Sequence, residues 1–540
     1  MPAAIAPAAR RLTVFIPAAG TGSRLRPLTD HLPKALVPVR QKPAISHVID
    51  LYPRESRFVV AAGHKSALLR EYLGLAYPEL DLIVVEIANF DGPGSGLGHT
   101  IAESARWFTA PLVFHAVDSL LEARWLPSDP DGLEVLVAAA TAPEPARYRR
   151  IRVSEDGRCL GLGEPTAEPP PGWLTYTGVC LVQDVERLAE HARAEPGDVG
   201  EAAYLRTLIP DELRVAVVSE WHDIGTPEAL EAARRALDAE SDPTSEKLSQ
   251  ATFVLDDAIV KVHADAGVTR AKRRRGRLLS QVVPTGLRAT DHCLAYPKVE
   301  GRPLSTLPDR AARFPALLEW LEENLWPRPL PSVPERPFAE ICLDFYRTDT
   351  LARVSASSLA LRLGAVVESV DDVAVCSSMA GLLESLPWPN LADGVPVAFH
   401  GDLHFDNVLV DESGRFVLVD WRETFGSSST HGDLYYELAK LRHSLVLPNA
   451  VIDRPRFSLH TTRGADGSAS YRTEYPNGGE DAVCLAILHD YLRRRGLDAQ
   501  KVRIVGGLVF LRMAPLYRNP AVAELLWVVA MRELAAAHPA

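Results

Sequence analysis

The chain reads as an α/β protein of two domains, a first one built on a mainly parallel sheet and a second α+β one. Three observations predict this. Short apolar runs at 11–17, 58–62, 82–86 and 133–137 alternate with helical stretches, the pattern of a parallel sheet with crossover helices. A polar, Pro-containing stretch at 238–247 then interrupts the alternation and reads as a linker. Beyond it a strand pair at 251–262 gives way to mostly helical sequence from about residue 305. A chain of 540 residues is also too long for one core. The expected boundaries are an Ala/Pro-rich disordered tail at 1–10, a first domain at 11–237, the linker, and a second domain at 248–540. The second divides into a small lobe at 248–304 and a large lobe at 305–540.

The first apolar run ends in Ala18-Ala19-Gly20-Thr21-Gly22-Ser23-Arg24-Leu25-Arg26-Pro27-Leu28-Thr29, followed by Pro33-Lys34-Ala35-Leu36-Val37-Pro38-Val39 and Lys42-Pro43. A small-residue loop after a strand lets the backbone N–H groups of Ala19, Gly20 and Gly22 approach phosphates. Arg24 can fork onto a triphosphate, and Lys34 can neutralise a second phosphate as a point charge. Neither a Walker loop nor the Gly triplet of a dinucleotide fold is present. The whole string resembles the signature of the sugar-nucleotidyltransferase family, whose fold is a Rossmann-like parallel sheet.

Two later segments extend that resemblance to about residue 235. The run Leu112-Val113-Phe114-His115-Ala116-Val117 ends in Asp118, and Trp221-His222-Asp223-Ile224-Gly225-Thr226-Pro227 matches the family's closing motif. The resemblance implies that Asp118 and Asp223 hold magnesium against the phosphates. It also implies nucleotide contacts from Ser95 and Gly96, in the glycine-rich loop 89–100, and acceptor contacts from Glu164 and Gly178. The 89–100 loop departs from the usual sugar-activating sequence, which leaves base and sugar open.

The second domain carries His400-Gly401-Asp402-Leu403-His404-Phe405-Asp406-Asn407, then Asp420 at the end of Phe416-Val417-Leu418-Val419. An Asp followed five positions later by an Asn is the spacing of a kinase catalytic loop, where the Asp takes the proton of the attacking hydroxyl and the Asn holds a metal. The turn Asp411-Glu412-Ser413-Gly414 separates strands at 408–410 and 416–419, so Asp420 ends a hairpin. The motif resembles the aminoglycoside phosphotransferase and choline kinase families, which implies a two-lobed protein-kinase-like fold. It makes Asp402 the base or orienter, Asn407 and Asp420 magnesium ligands, and Lys261 of Ala258-Ile259-Val260-Lys261-Val262 the strand lysine on ATP phosphates. The chain departs from the pattern in having no glycine-rich loop before Lys261 and no Glu in the next helix, at 270–277. That basic helix reads as a solvated face or a phosphate-facing edge. Asp433 reads as structural, and 457–476 as an inserted hairpin.

Composition sets the frame: 47% hydrophobic, 24% charged and a net charge of −12, which disfavours nucleic-acid and anionic-membrane partners. No run of 18 apolar residues and no signal-peptide core is visible, and six scattered cysteines without CxxC spacing read as reduced, buried thiols. A cytoplasmic location, small-molecule substrates, Mg2+ with ATP and a second NTP are expected, and homo-oligomerisation is left open. One half would make a phosphate monoester from an alcohol, and the other would consume a phosphate monoester. Together they would yield an NDP-activated sugar or polyol and pyrophosphate. The alternatives are a choline or ethanolamine kinase joined to a CTP-dependent cytidylyltransferase, a nucleotide-binding regulator, and an antibiotic-modifying kinase.

Overall fold

A computed structural model describes residues 11–537 except 122–124, 127–134, 142–146, 166–171, 196–199, 238–248, 328–335, 477 and 518. The expected tail at 1–10 and linker at 238–247 lie outside the described residues. The rest fall into two compact units. One comprises the described residues up to 240 together with those of 247–265 and 289–295; the other holds 266–288 and those from 296 onwards.

The first unit is organised by the apolar strand Thr13–Ala18, nearly all of it buried, as a strand covered on both faces must be. Arg57–Ala62 and Leu112–His115 flank it in parallel, and Asp81–Glu86 extends the sheet in parallel beyond Arg57–Ala62. On the other side the long strand Trp173–Val182 runs antiparallel to Leu112–His115 and pairs with Val135–Ala140 and Arg150–Val153. The sheet is therefore parallel at its centre and mixed at one flank. Its loop at 19–29 leaves the carboxyl end of the central strand, the end at which α/β sheets bind ligands.

This unit does not stop where the sequence suggested. The strands Gln250–Val254, Ala258–His263 and Cys293–Pro297 start a small sheet whose apolar residues Phe253, Val260, Val262 and Cys293 join the same core as Leu69, Tyr72 and Leu73 of the helix Ser66–Ala76. Phe253 meets Tyr72 edge-on at 5.4 Å. Glu71 accepts from Thr290 Oγ1 and from the His292 N–H, both at 2.7 Å, and Lys42 pairs with Asp256 at 3.1 Å. A few short strands bury too little apolar surface to stand alone, so they take their core from the neighbouring helix. Replacing Phe253 with Ala should destabilise the first unit by about 3–5 kcal/mol. A thermal melt displaced by several degrees would show it, and an unmoved melt would detach these strands from that core.

The second unit is mainly helical, with Leu434–Val446, Ala499–Met513 and Pro520–Ala537 largely buried. The hairpin Val408–Asp411 and Phe416–Leu418 forms as expected, closed by Asp411 Oδ1 accepting from the Ser413 and Arg415 N–H groups at 2.9 Å. The 457–476 segment forms the antiparallel pair Ser458–Arg463 and Ala469–Glu474. Unexpected is a second hairpin, Val366–Val370 with Val373–Ser378, whose first strand lies parallel to Ala469–Glu474. Its turn depends on Asp371, left-handed at φ 53°, accepting from the Thr473 N–H at 2.7 Å, a partner too distant in sequence to signal itself. All six cysteines are free and five are buried, but Cys376 is exposed, on an edge strand. Among the described residues no helix is long and apolar enough to cross a membrane.

Candidate active sites

In the first unit, the loop after the central strand closes because Gly22 is left-handed, at φ 63°. A Cβ there would stand 2.9 Å from Thr29 Cγ2 and 3.2 Å from Lys34 Cβ, too close for any other residue. Thr29 Oγ1 donates to the Gly22 carbonyl at 3.0 Å and ties the loop's two ends. Gly63, whose Cβ would strike Phe90 at 2.5 Å and the Ala19 carbonyl at 2.7 Å, brings the 89–96 loop against the signature loop. Within it Ser95 Oγ donates to the Gly92 carbonyl at 2.7 Å, and Gly96 precedes the helix Leu97–Ser104.

Asp118 and Asp223 meet although 104 residues lie between them in the chain. A two-strand ladder, Ser119–Leu121 with Trp221–Asp223, sets Asp223 opposite Ser119, and the Ile224 N–H donates to the Asp118 carbonyl at 3.0 Å. A Cβ on Gly225 would lie 3.1 Å from Asp223 Oδ1 and 3.3 Å from Asp118 Oδ2, so glycine leaves both carboxylates a shared hollow. Lys34 Nζ bonds Asp118, and Arg24 also acts on it electrostatically. Burial pushes the Asp118 carboxyl up, but the Lys34 ammonium outweighs it and holds the group below its usual range. Asp223 is raised, first by burial and then by the neighbouring Asp118. Two carboxylates so close favour a cation between them. Among the described residues no cluster of three or more metal-binding side chains occurs. Two carboxylates completed by water and substrate phosphate suit magnesium.

Tyr148 escaped the sequence reading. Its hydroxyl donates to Asp223 Oδ2 at 3.1 Å while its ring meets Trp221 edge-on at 4.9 Å. Gly178, at φ 78°, accepts from the Ala116 N–H at 3.0 Å, two residues before Asp118. Glu164 is tied to Arg206 and, at 3.5 Å, to Arg149.

In the second unit the loop 400–407 is pinned from below by Glu437, which accepts from the His400 and Gly401 N–H groups, both at 2.7 Å. Gly401 is left-handed, and a Cβ there would stand 2.8 Å from Arg422 Cβ. Asn407 Nδ2 donates to the Asp402 carbonyl at 2.9 Å and faces Asp402 Oδ2 at 3.4 Å. The Val419 N–H donates to the Asn407 carbonyl at 2.9 Å, which zips the strand before Asp420 onto the loop. Asp420 itself is held at φ 64°, a backbone state costly for a non-glycine residue and found where function demands it. With its amide nitrogen engaged by Asp402, Asn407 has its oxygen to offer a metal, and Asp420 adds a carboxylate. The pair therefore fits magnesium.

Asp402 is pushed up by burial, yet the Lys440 ammonium, 2.8 Å from Oδ1, outweighs this and holds it well below the usual carboxylate range. His404 sits 3.7 Å from Asp402 and 3.2 Å from Asp406; burial lowers its pKa, but these two carboxylates raise it overall. Lys261 is buried on the strand Ala258–His263 of the first unit. The basic helix Ala266–Leu278 is not the expected solvated face throughout: Arg275 is 1% exposed, donates to the Phe399 carbonyl and stacks at 3.8 Å on that ring. Backbone carbonyls can satisfy a buried guanidinium as water would, and helical spacing alone does not reveal that. Asp433 is structural, as expected, accepting from Tyr346 Oη at 2.7 Å and the Val395 N–H at 2.9 Å. Substituting Glu437 by Gln would set an amide N–H against a loop N–H. The expected cost is about 1–3 kcal/mol, measured by denaturant unfolding. An unchanged midpoint would mean that the loop does not depend on this pin.

The first unit thus gathers two carboxylates and an ammonium around one hollow, and the second sets a carboxylate, an amide and an ammonium around one loop. The Nucleotidyl transferase family matches residues 14–108, and the Phosphotransferase enzyme family matches 256–457. The first part of the chain is thus similar to one enzyme family and the second part to another. Among curated relatives it is 23% identical over 264 residues to the "Bifunctional protein GlmU" of Methanococcus maripaludis, covering 46% of this chain and 60% of that protein. It is 23% identical over 241 residues to the UTP–glucose-1-phosphate uridylyltransferase AglF of Haloferax volcanii, covering 42% and 98%. Among solved structures it is similar to the CTP:phosphocholine cytidylyltransferase LicC of Streptococcus pneumoniae, with a TM-score of 0.36, 18% identity, and 42% and 100% coverage.

Proposed function

We propose that the chain is a bifunctional enzyme that phosphorylates a small alcohol with ATP and then couples the product to a nucleotide. The first half-reaction is ROH + ATP → R-phosphate + ADP. The second is R-phosphate + NTP → NDP-R + pyrophosphate. The observation that supports this reading is the presence of two polar clusters in one chain: Asp118 and Asp223 beside Lys34, and Asp402 with Asn407 on the loop that leads to Asp420.

In the first half-reaction Asp402 orients the acceptor hydroxyl and receives its proton, and Lys261 steadies ATP phosphates. In the second, the phosphate oxygen of R-phosphate attacks the NTP α-phosphorus. Arg24 and Lys34 hold the triphosphate, the N–H groups of Ala19, Gly20 and Gly22 cradle it, and Ser95 and Gly96 face the base. Glu164 and Gly178 contribute to the acceptor pocket. Magnesium held by Asp118 and Asp223, and by Asn407 and Asp420, would supply charge neutralisation at the transferring phosphates.

The favoured R is a sugar or polyol. One observation favours an amino alcohol such as choline or ethanolamine: Asp453 is pushed up to about 6 by burial and by Asp406, and Asp406 lies 3.2 Å from His404. A cationic acceptor would relieve that crowding. The deciding experiment incubates the protein with MgATP and sugars, choline, ethanolamine or glycerol, adding CTP, UTP or GTP separately. ADP, pyrophosphate and a nucleotide-linked mass from one combination would name R and the base. ADP without pyrophosphate from any NTP would remove the second half-reaction, and no ADP with any alcohol would remove the first.

A further inference from the structure

Lys440 lies one turn beyond Glu437 on the helix Leu434–Val446, so both side chains share a face. The helix that pins the catalytic loop through Glu437 thereby also aims an ammonium at Asp402. The Lys440 side chain is only 7% exposed, and its Nζ lies 2.8 Å from Asp402 Oδ1 and 3.3 Å from His443 Nε2. His443 Nδ1 is bonded to the Lys440 carbonyl, which assigns the ring proton to Nδ1 and leaves Nε2 to accept from the ammonium. A buried ammonium is costly unless partnered, and here two partners hold it in one place. The other oxygen of Asp402, Oδ2, stays on the side of Asn407 Nδ2, at 3.4 Å, and His404 Nε2, at 3.7 Å. Neither sequence motif assigns Lys440 a role.

We propose that Lys440 is the positioning residue of the phosphotransfer site, clamping one oxygen of Asp402 so that the other meets the acceptor hydroxyl. The role rests on the kinase reading above. As the acceptor oxygen bonds the γ-phosphorus, the bond from that phosphorus to the β–γ bridging oxygen breaks and ADP departs. The hydroxyl proton passes to Asp402 Oδ2. A carboxylate clamped at one oxygen presents the other in a single orientation; released, it samples several rotamers and the near-attack arrangement is lost. Because Lys440 acts through Asp402 alone, its loss lowers kcat and leaves KM for ATP in place.

The test uses the full chain with MgATP and, as acceptors, glucose, glycerol, choline and ethanolamine, with water as the baseline. ADP formation is compared for the wild type, Lys440→Met, Lys440→Arg, Asp402→Asn and the Met/Asn double variant, each checked by thermal melting. The expected result is a loss in kcat of ~10²-fold for Lys440→Met with little change in KM for ATP. Lys440→Arg should recover much of the rate, since it restores a cation. The double variant should be no slower than Asp402→Asn alone, as two residues acting through one group must behave. Should Lys440→Met not fold, the Arg variant decides: a kcat near the wild type with an unshifted KM supports the clamp, and a raised KM overturns it. Met and Asn effects that multiply, or a Lys440→Met enzyme as fast as the wild type, also overturn it. A wild type silent with every acceptor defeats the kinase reading and this role with it, whereas an active wild type beside an unaffected Lys440→Met defeats the role alone.

Discussion

Asp402→Asn is expected to lower phosphorylation of the alcohol by about 10²–10⁴-fold while leaving nucleotidyl transfer from supplied R-phosphate intact. The substitution keeps the shape of the side chain, so its bond geometry with Asn407 and the loop is largely preserved. It removes the charge that Lys440 partners and the oxygen that receives the hydroxyl proton. Glu437 still pins the loop through the His400 and Gly401 N–H groups, so the fold should persist. ADP release with the responsive alcohol, and pyrophosphate release from R-phosphate and NTP, measured on one preparation, separate the outcomes. Retained phosphorylation would show that Asp402 is not the residue facing the acceptor. Loss of both reactions in a folded variant would mean that the half-reactions are not independent.

Asp118→Ala should have the opposite signature, a fall of about 10²–10³-fold in nucleotidyl transfer with alcohol phosphorylation unaffected. Two effects add. The hollow beside Gly225 loses one of the two carboxylates that would hold magnesium, and Lys34 loses the partner that keeps its ammonium aimed into the site. Asp223, raised in part by the charge of Asp118, should ionise more readily in the variant, but one carboxylate alone does not fix the ion between two oxygens, so excess magnesium should restore only part of the rate. Pyrophosphate release against magnesium concentration is the measurement. Full recovery at high magnesium would reduce Asp118 to a contributor to affinity alone.

Much of the local geometry of both candidate sites was legible because each motif is compact in sequence. Asp402 and Asn407 lie within one short loop, and a hairpin closed by Asp411 delivers Asp420 to it. The signature loop likewise declares its own geometry: the glycine at 22 is needed by Thr29 and Lys34, a few residues away. Tyr148, Glu437, Arg275 and Lys440 were not legible as site residues. A Tyr, an Arg in a basic helix or a Lys on an apolar helix is common on any surface, and its partner becomes known only when another element arrives. The hairpin at 366–378 was not legible for a related reason, since its first strand takes Ala469–Glu474 as a partner and its turn takes Thr473, both far downstream.

The sequence alone determined that this chain carries two compact polar motifs on two kinds of fold, because strand periodicity, glycine-dependent loops and short-range motif spacing are local properties of the polymer. Only the tertiary structure decided that Asp118 and Asp223 share one hollow, that Lys440 reaches Asp402, and that the strand bearing Lys261 takes its core from the helix Ser66–Ala76. Those are contacts between segments far apart in the chain. They are selected by how apolar faces find cover and how buried charges find partners, and no local pattern encodes which partner that is.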